Sequence, residues 1–257
     1  MAEDRQKLLH ALCEIAQRAG AEILRHYDGK VEVQRKADDS PVTAADEAAN
    51  DLIVDALQSL TPDIPVVAEE SVARGDIPAT AGGAFWLVDP LDGTKEFISR
   101  NGEFTVNIAL IEGGKPTMGV VLAPAIGELY SGAAGIGAFL ATDTEPAMKI
   151  TARRQAEDGA VVLVSRSHRD KATDEYLATV KVKDERSAGS SLKFCVVAAG
   201  EADIYPRMGR TMEWDTAAGH AVLSAAGGRV ETLDGDELVY GKPGHENPWF
   251  VAFGVKD

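Results

Sequence analysis

The chain has 257 residues, 45% of them hydrophobic and 26% charged, which suffices for one large or two small domains with a full core. Its 41 acidic and 26 basic side chains leave a formal charge of −15. That balance excludes an extended nucleic-acid groove, which needs a basic face. The start, M-A-E-D-R-Q-K, is polar and no apolar run reaches the length of a signal or a membrane span. A cytoplasmic protein is therefore expected, with at most a peripheral association at the inner membrane face. Cys13 and Cys195 fall in apolar helical patterns and read as buried free thiols, not as a disulfide or a metal pair.

In chain order, Leu8, Leu12, Ile15, Ala19 and Ile23 recur at helical spacing, and Gly29 closes that helix. Residues 31–33 suggest a short strand. Thr43 is a good N-cap for a second helix whose buried face runs through Ala45, Ala49, Ile53 and Leu57, with Asp46 at the capping-box position. Residues 64–68 read as a strand ending at Glu69-Glu70. Residues 85–88, F-W-L-V, read as a buried strand that Asp89-Pro90 should stop, since proline cannot donate to a ladder. Strands at 104–111 and 117–122 flank an E-G-G-K turn, and short β segments follow at 127–133 and 137–141. The glycines at 132, 135 and 137 do not form G-x-G-x-x-G before a helix, so a dinucleotide loop is rejected. A polar break over 141–146 marks the expected division into 1–145 and 146–257. In the second part, a strand at 161–164, a helix at 173–180 and a weak strand near Val182 precede a small-residue turn, 187–191, that opens a helix to Ala199. Asp215 reads as the N-cap of a helix running through Leu223, and strands follow at 229–233 and 249–253. Strands alternating with helices there imply a parallel or mixed sheet.

The chemistry is concentrated in D-P-L-D-G-T, residues 89–94. Two carboxylates three apart at the end of a buried strand repel unless protonated or bridged by a cation. Hard cations such as Mg²⁺ take oxygen ligands of this kind, commonly with a substrate phosphate. Gly93 permits close backbone approach and Thr94 adds a hydroxyl beside Lys95. A plain surface turn would also carry Asp-Pro and Asp-Gly, but not directly behind four apolar strand residues.

D-P-L-D-G-T together with W-D-T-A-A-G, residues 214–219, resembles the paired signatures of the Mg²⁺-dependent, lithium-sensitive phosphatases related to inositol monophosphatase. The form D-G-T-K-E-F, with S-R-S-H at 165–168 and G-S-S-L-K-F at 189–194, is similar to the branch acting on 3′(2′),5′-bisphosphate nucleotides. The resemblance implies one compact α/β unit of alternating α/β/α/β/α layers. Residues 1–145 would carry most metal ligands, and 146–257 would complete the metal and substrate site. It further implies two or three Mg²⁺ ions held by Glu69, Asp89, the Leu91 carbonyl, Asp92 and Asp215. Thr94, oriented by Asp46, would act with Glu69 on the attacking water. Gly93, Thr94, Lys95, Ser165, His168, Gly189, Ser190, Lys193, Arg207 and Asp215 would meet the substrate.

The expected reaction is removal of the 3′-phosphate from adenosine 3′,5′-bisphosphate, a by-product of sulfate assimilation, by a monomer or homodimer. The inositol branch carries D-G-T-T-N-F and an acidic residue before the second signature. Lys95 and Arg207 stand at those places here, and added cations suit a second phosphate. An inositol monophosphatase or fructose bisphosphatase with the same metals is the alternative. A non-catalytic nucleotide or metal sensor is a further one, which retention of Asp46 and Thr94 disfavours.

Overall fold

A computed structural model of the chain describes residues 2–27, 33–35, 41–80, 82–166 and 170–256. In chain order its elements are α1 (Ala2–Tyr27), β1 (Val33–Arg35), β2 (Pro41–Thr43), α2 (Ala44–Leu60), β3 (Val66–Ala68), α3 (Glu69–Ala73), β4 (Phe85–Asp92) and α4 (Thr94–Ser99). There follow β5 (Thr105–Glu112), β6 (Lys115–Ala123), β7 (Glu128–Ala133), β8 (Gly137–Thr142), β9 (Met148–Ile150), β10 (Ala160–Ser165), α5 (Lys171–Leu177) and β11 (Val182–Ala188). The chain continues through α6 (Leu192–Ala198), β12 (Ile204–Arg207), α7 (Glu213–Ala225), β13 (Arg229–Thr232) and β14 (Phe250–Phe253).

Side-chain alternation along the strands sorts the apolar residues into three cores. Trp86, Val88, Val106, Ile108, Val120 and Leu122 pack against Leu12, Ile23, Ile53 and Leu57 of α1 and α2. The opposite side of the same strands, at Leu87, Ala109 and Val121, meets Phe194, Ala218 and Val222 of α6 and α7. Beyond these helices, Leu163, Tyr205 and Phe250 face inward while Val162, Val164, Ile204 and Val251 turn outward to Leu177 of α5. The result is an α/β/α/β/α stack of a seven-stranded sheet, β3-β4-β5-β6-β7-β8-β9, and a five-stranded mixed sheet, β11-β10-β12-β14-β13. Strand β11 forms one edge of the smaller sheet, parallel to β10, and its residues from Val182 to Ser187 are exposed on both faces.

Helix α7 lies directly on the backbone of the large sheet, and this spacing has a cause in the sequence. A Cβ on Gly119 would stand 2.6 Å from the Ala218 carbonyl and 2.7 Å from the Ala221 Cβ. Only glycine admits so close a seat.

One expectation is corrected. Strand β4 does not stop at Pro90; it runs on to Asp92, because an extra residue between Asp89 and Asp92 bulges out of the ladder with β5. A bulge is a place where proline's missing N–H costs nothing. The short helices α3 and α4 and the strands β9 and β12 were not legible, each being only three to six residues long. The expected Val31 strand start and the Gly29 helix end lie outside the described residues. Both thiols are free; Cys195 is buried and Cys13 half-buried.

Candidate active site

The bulge in β4 decides where its two carboxylates point. In an uninterrupted strand, residues three apart face opposite sides. Here Asp89 pairs with Asn107 and Asp92 with Thr105, two residues apart on β5, so both aspartates share the face turned toward α7. Asp89 and Leu91 are buried, and the Asp89 carboxylate accepts the Leu91 N–H at 3.0 Å. Gly93 then adopts φ +90°, a conformation that admits a side chain only under strain, and launches α4 at Thr94.

Thr94 Oγ1 donates to Asp46 Oδ1 at 3.3 Å. The other oxygen of Asp46 accepts the Thr43 N–H at 2.8 Å and the Thr43 hydroxyl at 2.6 Å. Asp46 is therefore both the reciprocal cap of α2 and the partner of Thr94.

Thr94 opens onto a cavity of about 850 Å³ lined among others by Glu69, Asp92, Lys193, Arg207 and Asp215, whereas Asp46, Asp89 and Leu91 are not among its lining residues. Gly93, Lys95, Ser165 and Ser190 also line it. Glu69 begins α3, so the acidic pair after β3 opens a helix. Asp215 is the third residue of α7, not the N-cap expected from sequence. Met212 is the cap, and the Asp215 carboxylate accepts its N–H at 2.8 Å.

The acids that line the cavity perturb one another. The Asp92 carboxyl is pushed up to about 6, first by desolvation and further by Glu96 and Glu69, against the pull of Lys193 and the Ser191 N–H. Asp215 is raised well above the carboxylate range by desolvation, then by Asp92 and Glu69. Lys193, 3% exposed, is lowered to about 8 by burial. Its ammonium donates to the Ala188 and Ser190 carbonyls and lies 5.2 Å from the Tyr205 ring centre.

Arg207 donates through Nη2 to the Arg210 carbonyl, while its buried Nε has no partner. Ser190 holds φ +40° and its buried hydroxyl is likewise without a partner. Gly189 is not among the lining residues; its N–H is held by Glu103 Oε2 at 2.7 Å. His168 lies outside the described residues.

Sequence reading missed the surroundings of Asp215. The fully buried Glu213 accepts from the Lys242 N–H at 2.9 Å and pairs with Lys242 Nζ at 2.7 Å and His245 Nδ1 at 2.8 Å. Asn247 Nδ2 donates to the Met212 carbonyl at 2.7 Å and to Thr216 Oγ1 at 3.1 Å. The segment 242–247 is thereby stapled over the first turn of α7. The adjacent charge in E-W-D was the one available signal, and it named no partner.

Residues 4–248 match the inositol monophosphatase family. The chain is 48% identical to the 3′(2′),5′-bisphosphate nucleotidase CysQ of Escherichia coli K12 over 235 residues, 91% of this chain and 94% of that protein. The solved structure of CysQ from Bacteroides thetaiotaomicron superposes with a TM-score of 0.81 at 38% identity, covering 98% of each chain. An inositol monophosphatase from Anabaena superposes at 0.78 and 28% identity, over 98% of this chain and 92% of that one. Fold, family match and relatives agree: the chain belongs to the inositol monophosphatase family.

Proposed function

We infer that the chain is a Mg²⁺-dependent phosphatase that hydrolyses the 3′-phosphate of adenosine 3′,5′-bisphosphate, giving AMP and inorganic phosphate. The observation that carries this reading is the meeting of Glu69, Asp92 and Asp215, from three distant parts of the chain, in one cavity with Lys193 and Arg207. The name of the CysQ relatives favours a bisphosphate nucleotide over an inositol phosphate.

The donor set fits magnesium. The lining carboxylates raise one another's pKa, the unfavourable charge that a divalent cation relieves, and all the donors are hard oxygens. Mg²⁺ keeps several waters and is bound through one or two carboxylates plus substrate phosphate. Glu69, Asp89, the Leu91 carbonyl, Asp92 and Asp215 would hold two or three ions. When bound, they would supply charge stabilisation for the phosphoryl oxygens and acidify water.

The chain's own groups do the remainder. Asp46 aims the Thr94 hydroxyl, which with Glu69 orients the attacking water and takes up its proton. Gly93 and Thr94 offer backbone N–H groups to the reacting phosphate. Lys193, Arg207, Lys95 and Ser190 receive the second phosphate and the nucleoside, with Ser165 on the same cavity wall. Residues 1–145 supply most ion ligands and 146–257 complete the pocket.

The test is phosphate release from adenosine 3′,5′-bisphosphate, inositol 1-phosphate and fructose 1,6-bisphosphate at equal concentration, with Mg²⁺ or with a chelator. The nucleotide should be preferred by at least tenfold and the chelator should abolish release. Preference for either sugar substrate overturns the substrate, and activity in the chelator overturns the metal site.

A further inference from the structure

We propose that Asn107 is a positioning residue that sets the Asp92 carboxylate and ties it, through Ser191, to the loop at the mouth of the smaller sheet. The proposal rests on the reading of Asp92 as an ion ligand and adds to it. Asn107 sits on β5, fully buried, and so does Thr105; Ser191, just before α6, is 2% exposed. Three polar side chains buried together must satisfy one another or lose stability.

Their bonds run in one direction. Ser191 Oγ donates to Asn107 Oδ1 at 2.6 Å. A serine hydroxyl has one proton, so the 2.9 Å contact between Thr105 Oγ1 and Ser191 Oγ must have threonine as donor. Asn107 Nδ2 then points to Asp92 Oδ2 at 3.5 Å. Only one orientation of the Asn107 amide serves this chain: reversed, it would set an oxygen against Asp92 and leave the Ser191 hydroxyl proton facing an amine.

Asp92 is thereby tied, through Asn107 on the neighbouring strand β5, to Ser191 in the loop before α6. Ser191 follows Ser190, whose left-handed backbone and partnerless hydroxyl face the cavity. On the far side, Glu103 fixes the Gly189 N–H and is itself gripped by Arg166 at 2.7 and 2.9 Å. The strained loop is pinned at both ends, and its inner pin is Asp92. Displacing that carboxylate would displace the loop.

The experiment is a Mg²⁺ titration of the substrate-free protein by isothermal calorimetry, with far-UV circular dichroism confirming the fold. Asp92→Asn should remove most of the Mg²⁺ heat. Asn107→Leu, close to isosteric, should weaken Mg²⁺ binding about tenfold or more, the usual effect of losing a group that orients a ligand. Ser191→Ala should weaken it at least threefold, and it serves as the test should Asn107→Leu not fold. The double variant should cost no more than Asn107→Leu alone, because the groups act in series. If Asp92→Asn binds Mg²⁺ like the wild type, the site reading itself fails. If Asp92→Asn loses Mg²⁺ binding while Asn107→Leu and Ser191→Ala stay within twofold of wild type, the positioning role alone is overturned.

Discussion

Replacing Gly119 by alanine tests whether the height of α7 above the large sheet sets the site. The new methyl would stand 2.6 Å from the Ala218 carbonyl oxygen, 2.7 Å from the Ala221 Cβ and 3.0 Å from the Ala218 Cα. Carbon atoms pack best at about 3.5–4.0 Å, so the helix must rise by roughly 0.5–1 Å. None of the three atoms belongs to a flexible side chain. Gly119 is not in the left-handed region, so the cost is overpacking alone, about 1–3 kcal/mol. For a chain of this size that lowers Tm by roughly 2–10 °C. Ala218 is one turn beyond Asp215, and a displacement near 1 Å costs on the order of 100-fold in rate. We expect kcat/KM for adenosine 3′,5′-bisphosphate to fall about 10- to 100-fold in a phosphate-release assay. Gly132→Ala is the companion control, since its Cβ would meet Val222 Cα at 2.9 Å and Ala225 Cβ at 3.0 Å, farther from Asp215. It should lower Tm comparably and the rate less. A Gly119→Ala protein with the lower Tm but kcat/KM within threefold of wild type would refute the link between helix height and catalysis.

Thr94→Val keeps the shape of the side chain and removes the hydroxyl that meets Asp46; kcat should fall about 100-fold or more, with Tm nearly unchanged because the Thr43–Asp46 cap of α2 remains. Steady-state kinetics beside a thermal melt decide it, and kcat within threefold of wild type would remove Thr94 from the mechanism. Arg207→Ala should raise KM for the bisphosphate nucleotide about 10- to 100-fold, the loss of a charge-assisted contact, while slow hydrolysis of inositol 1-phosphate keeps its KM. An equal loss on both substrates would contradict a second-phosphate role. His220, buried on α7 with Nδ1 3.0 Å from the Tyr240 hydroxyl, is pushed down to about 3 by burial. Below pH 6.5 the unfolded chain therefore takes a proton that the folded one refuses, and stability falls with pH. Between pH 7 and 4.5 this amounts to about 2.5 kcal/mol. Urea unfolding of His220→Gln at both values should show a pH difference smaller by that amount; an unchanged difference would refute it.

The sequence carried the large features because they repeat. Helical spacing located α1 and α2, an unbroken apolar run located β4, alternation located β5 and the E-G-G-K turn its return strand β6, and Thr43 with Asp46 marked a helix start that the structure reproduces. Pro90 misled, since a bulge is a property of two strands in register and neither strand announces it alone. The cap expected at Asp215 lies three positions earlier, because Met212, with no recognisable capping side chain, precedes the helix. Among site residues, those in contiguous signatures could be named, whereas Asn107, Glu213 and Asn247 could not. Their importance comes from partners 29 to 84 residues away, a relation with no periodicity.

The exposed edge strand β11 has a consequence for solubility. Its neighbour β10 reads A-V-V-L-V, the kind of uncharged, β-branched run that pairs readily with copies of itself. β11 occupies the open side of that run and presents Lys183, Asp184, Glu185 and Arg186 outward, with Arg186 and Asp184 bridged at 2.8 Å and Lys183 joined to Asp158 at 2.6 Å. An incoming strand would have to strip these charges of water before it could add to the sheet. This uncharged strand is thus guarded by the most charged strand of its sheet, and neutralising those four side chains should open the edge to pairing between copies of the chain.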